Sequence, residues 1–347
     1  MSGASCVLVA GLAVFLLAPA WTPQSSGVTV RLRGVSAVSD RVAWASGAWA
    51  REVGNTILRT EDGGATWKKL ANPSSVPAER LDFRDVDAVS ATTAYVLSIG
   101  AGTLSRIYKT TDAGLTWTMQ FANADAEAFF DAMAFWDADH GIAVSDSVKG
   151  AFVIITTEDG GKSWSRVPAD RLPAALDNEG AFAASGTNVT VFGASHAWFG
   201  TGAAAQARVL HTPDRGRTWT IADTPLRAGQ TSGIYSVAFR DAMNGVVVGG
   251  DYSKETEAVD NSAVTKDGGK TWTLVKGLTG FRSVVAYVPG QKTTLLAVGP
   301  QGSDVSIDDG QTWTKVEGPG FDTFSFVPGA AVGWGAGARG TIGLFRY

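Results

Sequence analysis

Apolar and polar residues alternate with a period of two over short runs, and no stretch carries the 3.6-residue periodicity of a helix. Thr56-Ile57-Leu58-Arg59, Arg106-Ile107-Tyr108-Lys109 and Tyr235-Ser236-Val237-Ala238-Phe239 are examples. Such runs predict strands with one face in a core. Polar turns separate them, and six turns share one pattern: Ser or Thr, any residue, Asp, any residue, Gly, any residue, Thr or Ser, then Trp. They occupy residues 60–67, 110–117, 157–164, 212–219, 265–272 and 306–313. The chemistry is that of a tight turn. The Asp carboxylate accepts from nearby backbone N–H groups, and the Gly supplies a positive φ. The Trp opens the next strand and anchors it on apolar neighbours. Each copy is therefore predicted to be the turn of a β-hairpin.

Between these turns a second pattern recurs. An alternating strand, such as Asp85-Val86-Asp87-Ala88-Val89, leads through a polar turn into a second strand, such as Ala94-Tyr95-Val96-Leu97-Ser98. Two strands there and two around the turn make four per repeat, and the repeat length is that of a propeller blade. Six such units run from Gly34 to Glu317. After Phe321 three more strands follow without the turn motif, and the run Val28-Thr29-Val30-Arg31-Leu32 is left over near the start. Placed as the outer strand of the last unit, this run completes a seventh blade and closes the ring. The sequence thus predicts an all-β, seven-bladed β-propeller forming a single domain over residues 21–347. Trp44, Trp136, Trp198 and Trp334 are expected between blades.

Composition narrows the function. Of 347 residues 45% are hydrophobic and 18% charged, too apolar for a disordered chain. A net charge of −4 argues against nucleic-acid binding, which needs a basic excess. The single cysteine, Cys6, excludes an intrachain disulfide and a cysteine-based zinc site, and the three histidines lack metal-pair spacing. No cofactor fingerprint or metal site is expected. Residues 7–17 form an unbroken run of small and apolar residues, followed by Ala18-Pro19-Ala20, a small-x-small cleavage pattern. This reads as a signal peptide over residues 1–20, with the mature chain exported to the periplasm or beyond. No other segment is long and apolar enough for a membrane helix. The mature chain is expected to be a monomer without an integral span.

The six turns resemble the Asp-box, or BNR repeat, of sialidases and related propellers. Units ending in T-x-D-G-G-x-T-W also resemble the photosystem II stability/assembly factor-like family of exported bacterial proteins. The resemblance covers nearly the whole chain beyond the leader. It implies that Asp62, Asp112, Asp159, Asp214, Asp267 and Asp308 are structural residues at the outer rim. The Arg-Ile-Pro signature of sialidases is missing. Aligning the innermost strands brings Asp85, Asp131 and Asp322 to equivalent positions, with Tyr235 and Ser283 beside them. The fourth blade is ambiguous, since Glu179 and Asn188 both fit. Asp85 and Asp131, on neighbouring blades, could supply the two carboxylates about 5–10 Å apart that glycoside hydrolysis needs. The polar insert at residues 251–261 is a candidate binding loop through Asp251, Tyr252, Lys254 and Glu255, and calcium through Asp251, Glu255, Glu257 and Asp260 is a further use for it. The reading that follows is a protein-binding or assembly-factor-like scaffold. The alternative is a glycan-binding or glycoside-hydrolase-type propeller using the central mouth.

Overall fold

The computed structural model describes residues 19–47, 55–73 and 81–347. Residues 1–18, which hold Cys6 and the apolar run of the expected leader, lie outside the described residues. Seven four-stranded antiparallel sheets make up the structure. Their innermost strands, in chain order, are Leu32–Ala37, Asp82–Ala88, Phe130–Phe135, Val189–Phe192, Ser232–Phe239, Val284–Tyr287 and Thr323–Phe326. Each innermost strand packs on the next, and the seventh packs on the first, so the sheets form a closed seven-bladed ring. Each core is layered between neighbouring blades, as where Phe152 of blade 3 meets Phe199 of blade 4 edge-on.

The ring closes with an N-terminal strand, but not the one expected. Ala20–Ser25 pairs antiparallel with Thr341–Arg346 as the outer strand of blade 7. The expected run, residues 28–32, instead leads into the innermost strand of blade 1. Burial explains the choice. Trp21 fills a gap among Phe321, Phe324 and Phe345, with ring centroids 4.4, 5.7 and 4.9 Å away. Leu32 and Val30 are needed in the core between blades 1 and 7. Gln24 then joins the ends of the ring. Its Nε2 donates to Gly63 O at 2.9 Å, and its Oε1 accepts from Trp67 Nε1 at 3.2 Å and Trp334 Nε1 at 3.1 Å.

All six motif turns connect the third and fourth strands of blades 1 to 6, and their geometry repeats. The Asp accepts from the first Thr or Ser hydroxyl at 2.8–2.9 Å. It also accepts from the amide of the last Thr or Ser, as at Ser163 N to Asp159 Oδ1, 2.9 Å, and from its hydroxyl at Oδ2, 2.6 Å. The residue between Asp and Gly is also left-handed, and in three turns it is not glycine: Ala113, Arg215 and Asp309, with φ of 62°, 58° and 62°. Turns also couple blades. Tyr95 Oη of blade 2 donates to Gly160 O of the blade 3 turn at 2.7 Å, and Trp198 Nε1 of blade 4 to Gly268 O of the blade 5 turn at 2.9 Å. Trp136 Nε1 reaches His196 O at 2.7 Å, and Trp44 meets Trp117 edge-on.

The Ser163 hydroxyl and amide bonds hold the Asp159 carboxyl at about 2. Asp159→Ala is therefore expected to lower Tm by a few degrees at pH 7, because a turn is lost and not a core. Differential scanning calorimetry checks it. The difference from wild type should shrink below pH 3, since a carboxyl with depressed pKa loses its stabilising charge as pH falls through that value.

Candidate functional site

Antiparallel order fixes which face can carry a site. The first-to-second and third-to-fourth turns share one face, so the six motif turns lie there. The second-to-third loops and the blade-to-blade crossings lie on the other. A pocket of about 560 Å³ opens on that second face, at the mouth of the central channel. It is lined by the starts of innermost strands, by Asp146 in the second strand of blade 3, and by second-to-third loops, including Tyr252 and Glu255.

Four side chains reach this mouth by one device. The pairing of first and second strands slips by a residue at Arg33 in blade 1, Arg84 in blade 2, Asp131 in blade 3 and Tyr235 in blade 5. A β-bulge adds an unpaired residue and re-aims its side chain. All four bulge residues line the pocket, with Ser283 and Asp322 at the equivalent positions of blades 6 and 7. The register also corrects the sequence alignment. Asp131, Asp322, Tyr235 and Ser283 are equivalent, but the blade 2 member is Arg84, and Asp85 lies one residue further on. A slip of one residue along a strand reverses the side chain's direction. Asp85 accordingly does not line the pocket. It is buried, its Oδ2 accepting from Met133 N of blade 3 at 2.8 Å. Asp85 and Asp131 therefore do not flank a common cleft as the carboxylate pair of a hydrolase.

Blade 4 differs from the others. Before its innermost strand, the chain of residues 180–188 runs across the axis and bonds to every other blade. Ala181 N donates to Asp146 Oδ1 of blade 3 at 2.8 Å. Ala183 O accepts from Arg84 of blade 2 at 3.1 Å, and Ala184 O from Arg33 of blade 1 at 3.4 Å. Ser185 O accepts from Thr323 of blade 7 at 3.1 Å, and Ser185 Oγ donates to Ser283 O of blade 6 at 2.8 Å. Thr187 O accepts from Val237 N of blade 5 at 3.0 Å. Gly186, at φ +77°, sits directly on Asp85. This segment is a plug, and it gives the mouth pocket a floor of Phe182, Ala183 and Ala184. Neither candidate for the fourth blade opens on the pocket. Thr187 takes the ring position, Asn188 follows it, and Glu179 lies behind the plug, paired with Arg208.

The pocket walls differ in chemistry. On the side of blades 7, 1 and 2 stand three arginines. Arg31 binds Asp322 through two bonds of 2.7 and 2.6 Å, and Arg84 binds Asp82 at 2.9 Å. Arg33 forms no ion pair among the described residues, and its buried Nε has no partner. Burial lowers its pKa to about 10. The opposite wall is aromatic. Tyr235 stacks on Phe182 at 4.1 Å, Phe281 meets Tyr235 edge-on at 4.6 Å, and Tyr252, half-exposed, meets both stacked rings edge-on. Between the walls lie Asp131 and Asp146. Burial raises Asp146 to about 6 against the Ala181 amide bond, and raises Asp131 well above the carboxylate range, helped by the charge of Asp146.

Of the polar insert, Glu255 lines the pocket and accepts from Gln301 at 2.8 Å. Tyr252 is its aromatic contribution. Asp251 pairs with Arg227, and Lys254 with Glu257, itself bonded to Arg227. Among the described residues no cluster of three or more His, Cys, Asp or Glu is placed to hold a metal ion. No helix among them is long and apolar enough to cross a membrane.

Below the plug, burial raises Asp85 to about 8, helped by the charge of Asp87 and against amide bonds from Met133 and Val86, and raises Asp87 to about 6 against one amide bond from Phe135. A folded pKa above the unfolded value gives stability that is complete below the unfolded pKa, near 4, and is lost as pH rises through the folded one. Wild-type Tm is expected to fall between pH 4 and pH 8. Asp85→Asn, which keeps the acceptor for Met133 N, should raise Tm by several degrees at pH 8 and leave it unchanged at pH 4. A pH series of thermal melts checks this.

No protein-family model matches the sequence, and no curated protein matches it. Solved structures do match. The structure of YCF48 bound to D1 peptide aligns with TM-score 0.67 at 16% identity, covering 94% of this chain and 97% of that one. The chain shares its fold with YCF48. YCF48 from Cyanidioschyzon merolae aligns with TM-score 0.66 at 18% identity, over 94% of this chain and 99% of that one. The WD40 β-propeller domain of Doa1 aligns less closely, with TM-score 0.61 at 10% identity, over 93% and 96%. At these identities the likeness to YCF48 and Doa1 is one of fold.

Proposed function

We propose that this protein is a peptide-binding scaffold whose mouth pocket takes a segment of a partner protein, and that it works outside the cytoplasm after export. The observation that carries the reading is the set of four bulges turning Arg33, Arg84, Asp131 and Tyr235 into one floored pocket. Bulges interrupt a ladder, and their concentration around one opening is the mark of a site. The wall chemistry supports a segment with an acidic group beside an aromatic or large apolar side chain. Arg33 would meet the acid, and Tyr235 and Tyr252 would hold the apolar group. The YCF48 structure with a bound peptide supports a peptide as ligand for a propeller of this shape. The photosystem II assembly-factor resemblance of the Asp-box turns fits the same role.

Selection of a random peptide library on the purified protein tests the reading, with a glycan array run in parallel. Acidic–aromatic sequences should be enriched. Arg33→Ala should weaken the selected peptides at least tenfold with Tm unchanged or raised, because it removes a buried charge with no ion-pair partner. An empty peptide selection with a clear glycan signal would replace the scaffold reading by the glycan-binding one.

A further inference from the structure

Asp131 is the one acidic side chain at the mouth that is fully buried, at 1% exposure, and still has a carboxyl oxygen, Oδ2, with no hydrogen-bond partner. It stands on a bulge, so its direction is set by the strand and not by chance of rotamer. A buried polar atom left unpaired costs free energy and calls for an explanation. Asp131 is one of the residues lining the mouth pocket, as is Arg33, whose buried Nε also has no partner.

We propose that Asp131 is a specificity-determining residue of the mouth, giving the O–H of its free carboxyl oxygen to a carboxylate of the bound segment, which Arg33 holds from the other side. The inference rests on the peptide-binding reading and names the group that the pocket selects.

The surroundings keep the proton on Asp131. It forms no ion pair with any described residue. Arg84, from blade 2, is the cation that acts on it, weakly, and that guanidinium is already engaged by Asp82 and Ala183 O. Asp146, from the next strand of blade 3, adds a like charge, while the backbone amides of Asp146 and of Ala183 in the plug oppose the shift without overcoming burial. Arg31 is bound to Asp322, and Glu255 to Gln301. A buried carboxylate without a counter-charge is strongly disfavoured, so the acid stays neutral. A neutral acid and a ligand carboxylate can share one proton in a short, charge-assisted bond, whereas two carboxylates repel. Binding of an anionic segment is therefore coupled to the proton on Asp131. It weakens as pH rises through the pKa of that group, by up to tenfold per pH unit.

Two measurements test this. The first is a pH titration of the Asp carboxyl carbons by 13C NMR in the free protein, with Asp131→Asn identifying the signal. Asp131 should be un-ionised at pH 7, and an ionised signal overturns the proposal whatever the ligand. The second is calorimetric binding of acetyl-Phe-Asp and of its neutral counterpart acetyl-Phe-Asn between pH 6 and pH 9. Wild type should prefer the acidic peptide at pH 6 and lose affinity for it, by up to tenfold per pH unit, above the Asp131 pKa that the NMR titration gives. Asp131→Asn, whose amide donates at every pH, should bind it with constant affinity, and Asp131→Ala should bind weakly throughout. If the wild type binds acetyl-Phe-Asp equally below and above the Asp131 pKa that the titration gives, or Asp131→Asn shows the same loss, Asp131 does not select the carboxylate. The peptide-binding reading then survives. If neither peptide binds at pH 6 while Asp131 is un-ionised, that reading fails, and this proposal fails with it.

Discussion

A chain beginning at Ser26 is expected not to fold into a stable ring, whereas one beginning at Trp21 is expected to melt like the longer protein. Removing Ala20–Ser25 strips blade 7 of its outer strand. It uncovers Thr341–Arg346 as an unpaired edge, a template for association with other chains. It removes the partly buried Trp21 from among Phe321, Phe324 and Phe345, a loss that is a fraction of the about 3–5 kcal/mol a fully buried Trp costs. It also removes Gln24, leaving the indoles of Trp67 and Trp334 and the carbonyl of Gly63 without their partner. Together these losses are of the order of a domain's whole stability. Size-exclusion chromatography and thermal melts of the two truncations decide it. A monomeric, cooperatively melting Ser26 chain would show that blade 7 is stable with three strands.

The second large effect is expected at Glu179. Its carboxylate is fully buried and accepts from Arg208 through both oxygens, from Thr201 at 2.6 Å and from Leu176 N at 2.9 Å. Glu179→Ala leaves the Arg208 guanidinium buried without a counter-charge, which typically costs about 3–5 kcal/mol. The double change Glu179→Leu with Arg208→Met should recover most of that loss, since replacing a buried pair by apolar residues of similar volume is close to neutral. Urea denaturation of the three variants measures both. Because residue 180 opens the plug, the single variant should also weaken peptide binding at the mouth. Equal stability of the single and double variants would mean that Arg208 finds water once its partner is gone.

The architecture was legible because its signal is repeated. Six turns with a fixed Asp, Gly and Trp declare the hairpins, and the count of leftover strands declares the seventh blade. The identity of the closing strand was not legible. Residues 28–32 alternate as well as any strand, while Ala20–Ser25 contains a proline and reads as the tail of the leader. What selects the latter is Trp21 in an aromatic gap made by residues some 300 positions away. The mouth was read in part. Asp131, Asp322 and Tyr235 were placed at one level of the ring, but the bulges that turn Arg33, Arg84, Asp131 and Tyr235 to the mouth carry no sequence mark. That is why Asp85 took the place of Arg84, and why Arg33 went unnoticed as a site residue. The plug was invisible for a related reason. Gly180-Ala181-Phe182-Ala183-Ala184-Ser185-Gly186 is a bland run whose role lies in backbone groups that other blades bind.

The plug also has a consequence in time. Blades 1 to 6 are built from hairpins whose partners are near neighbours in sequence, so their strands can pair early and in any order, whereas the outer strand of blade 7 comes from the other end of the chain. The bonds of residues 180–188 join positions 151 apart at Arg33 and Ala184 and 138 apart at Thr323 and Ser185. They cannot form until blades from both ends of the chain have converged on the fourth, and contacts of such separation form slowly. The last event of folding is then the seating of this small-residue segment on the axis, with closure of the ring around it. Until that moment the floor of the mouth does not exist, so competence to bind arrives only with the finished molecule.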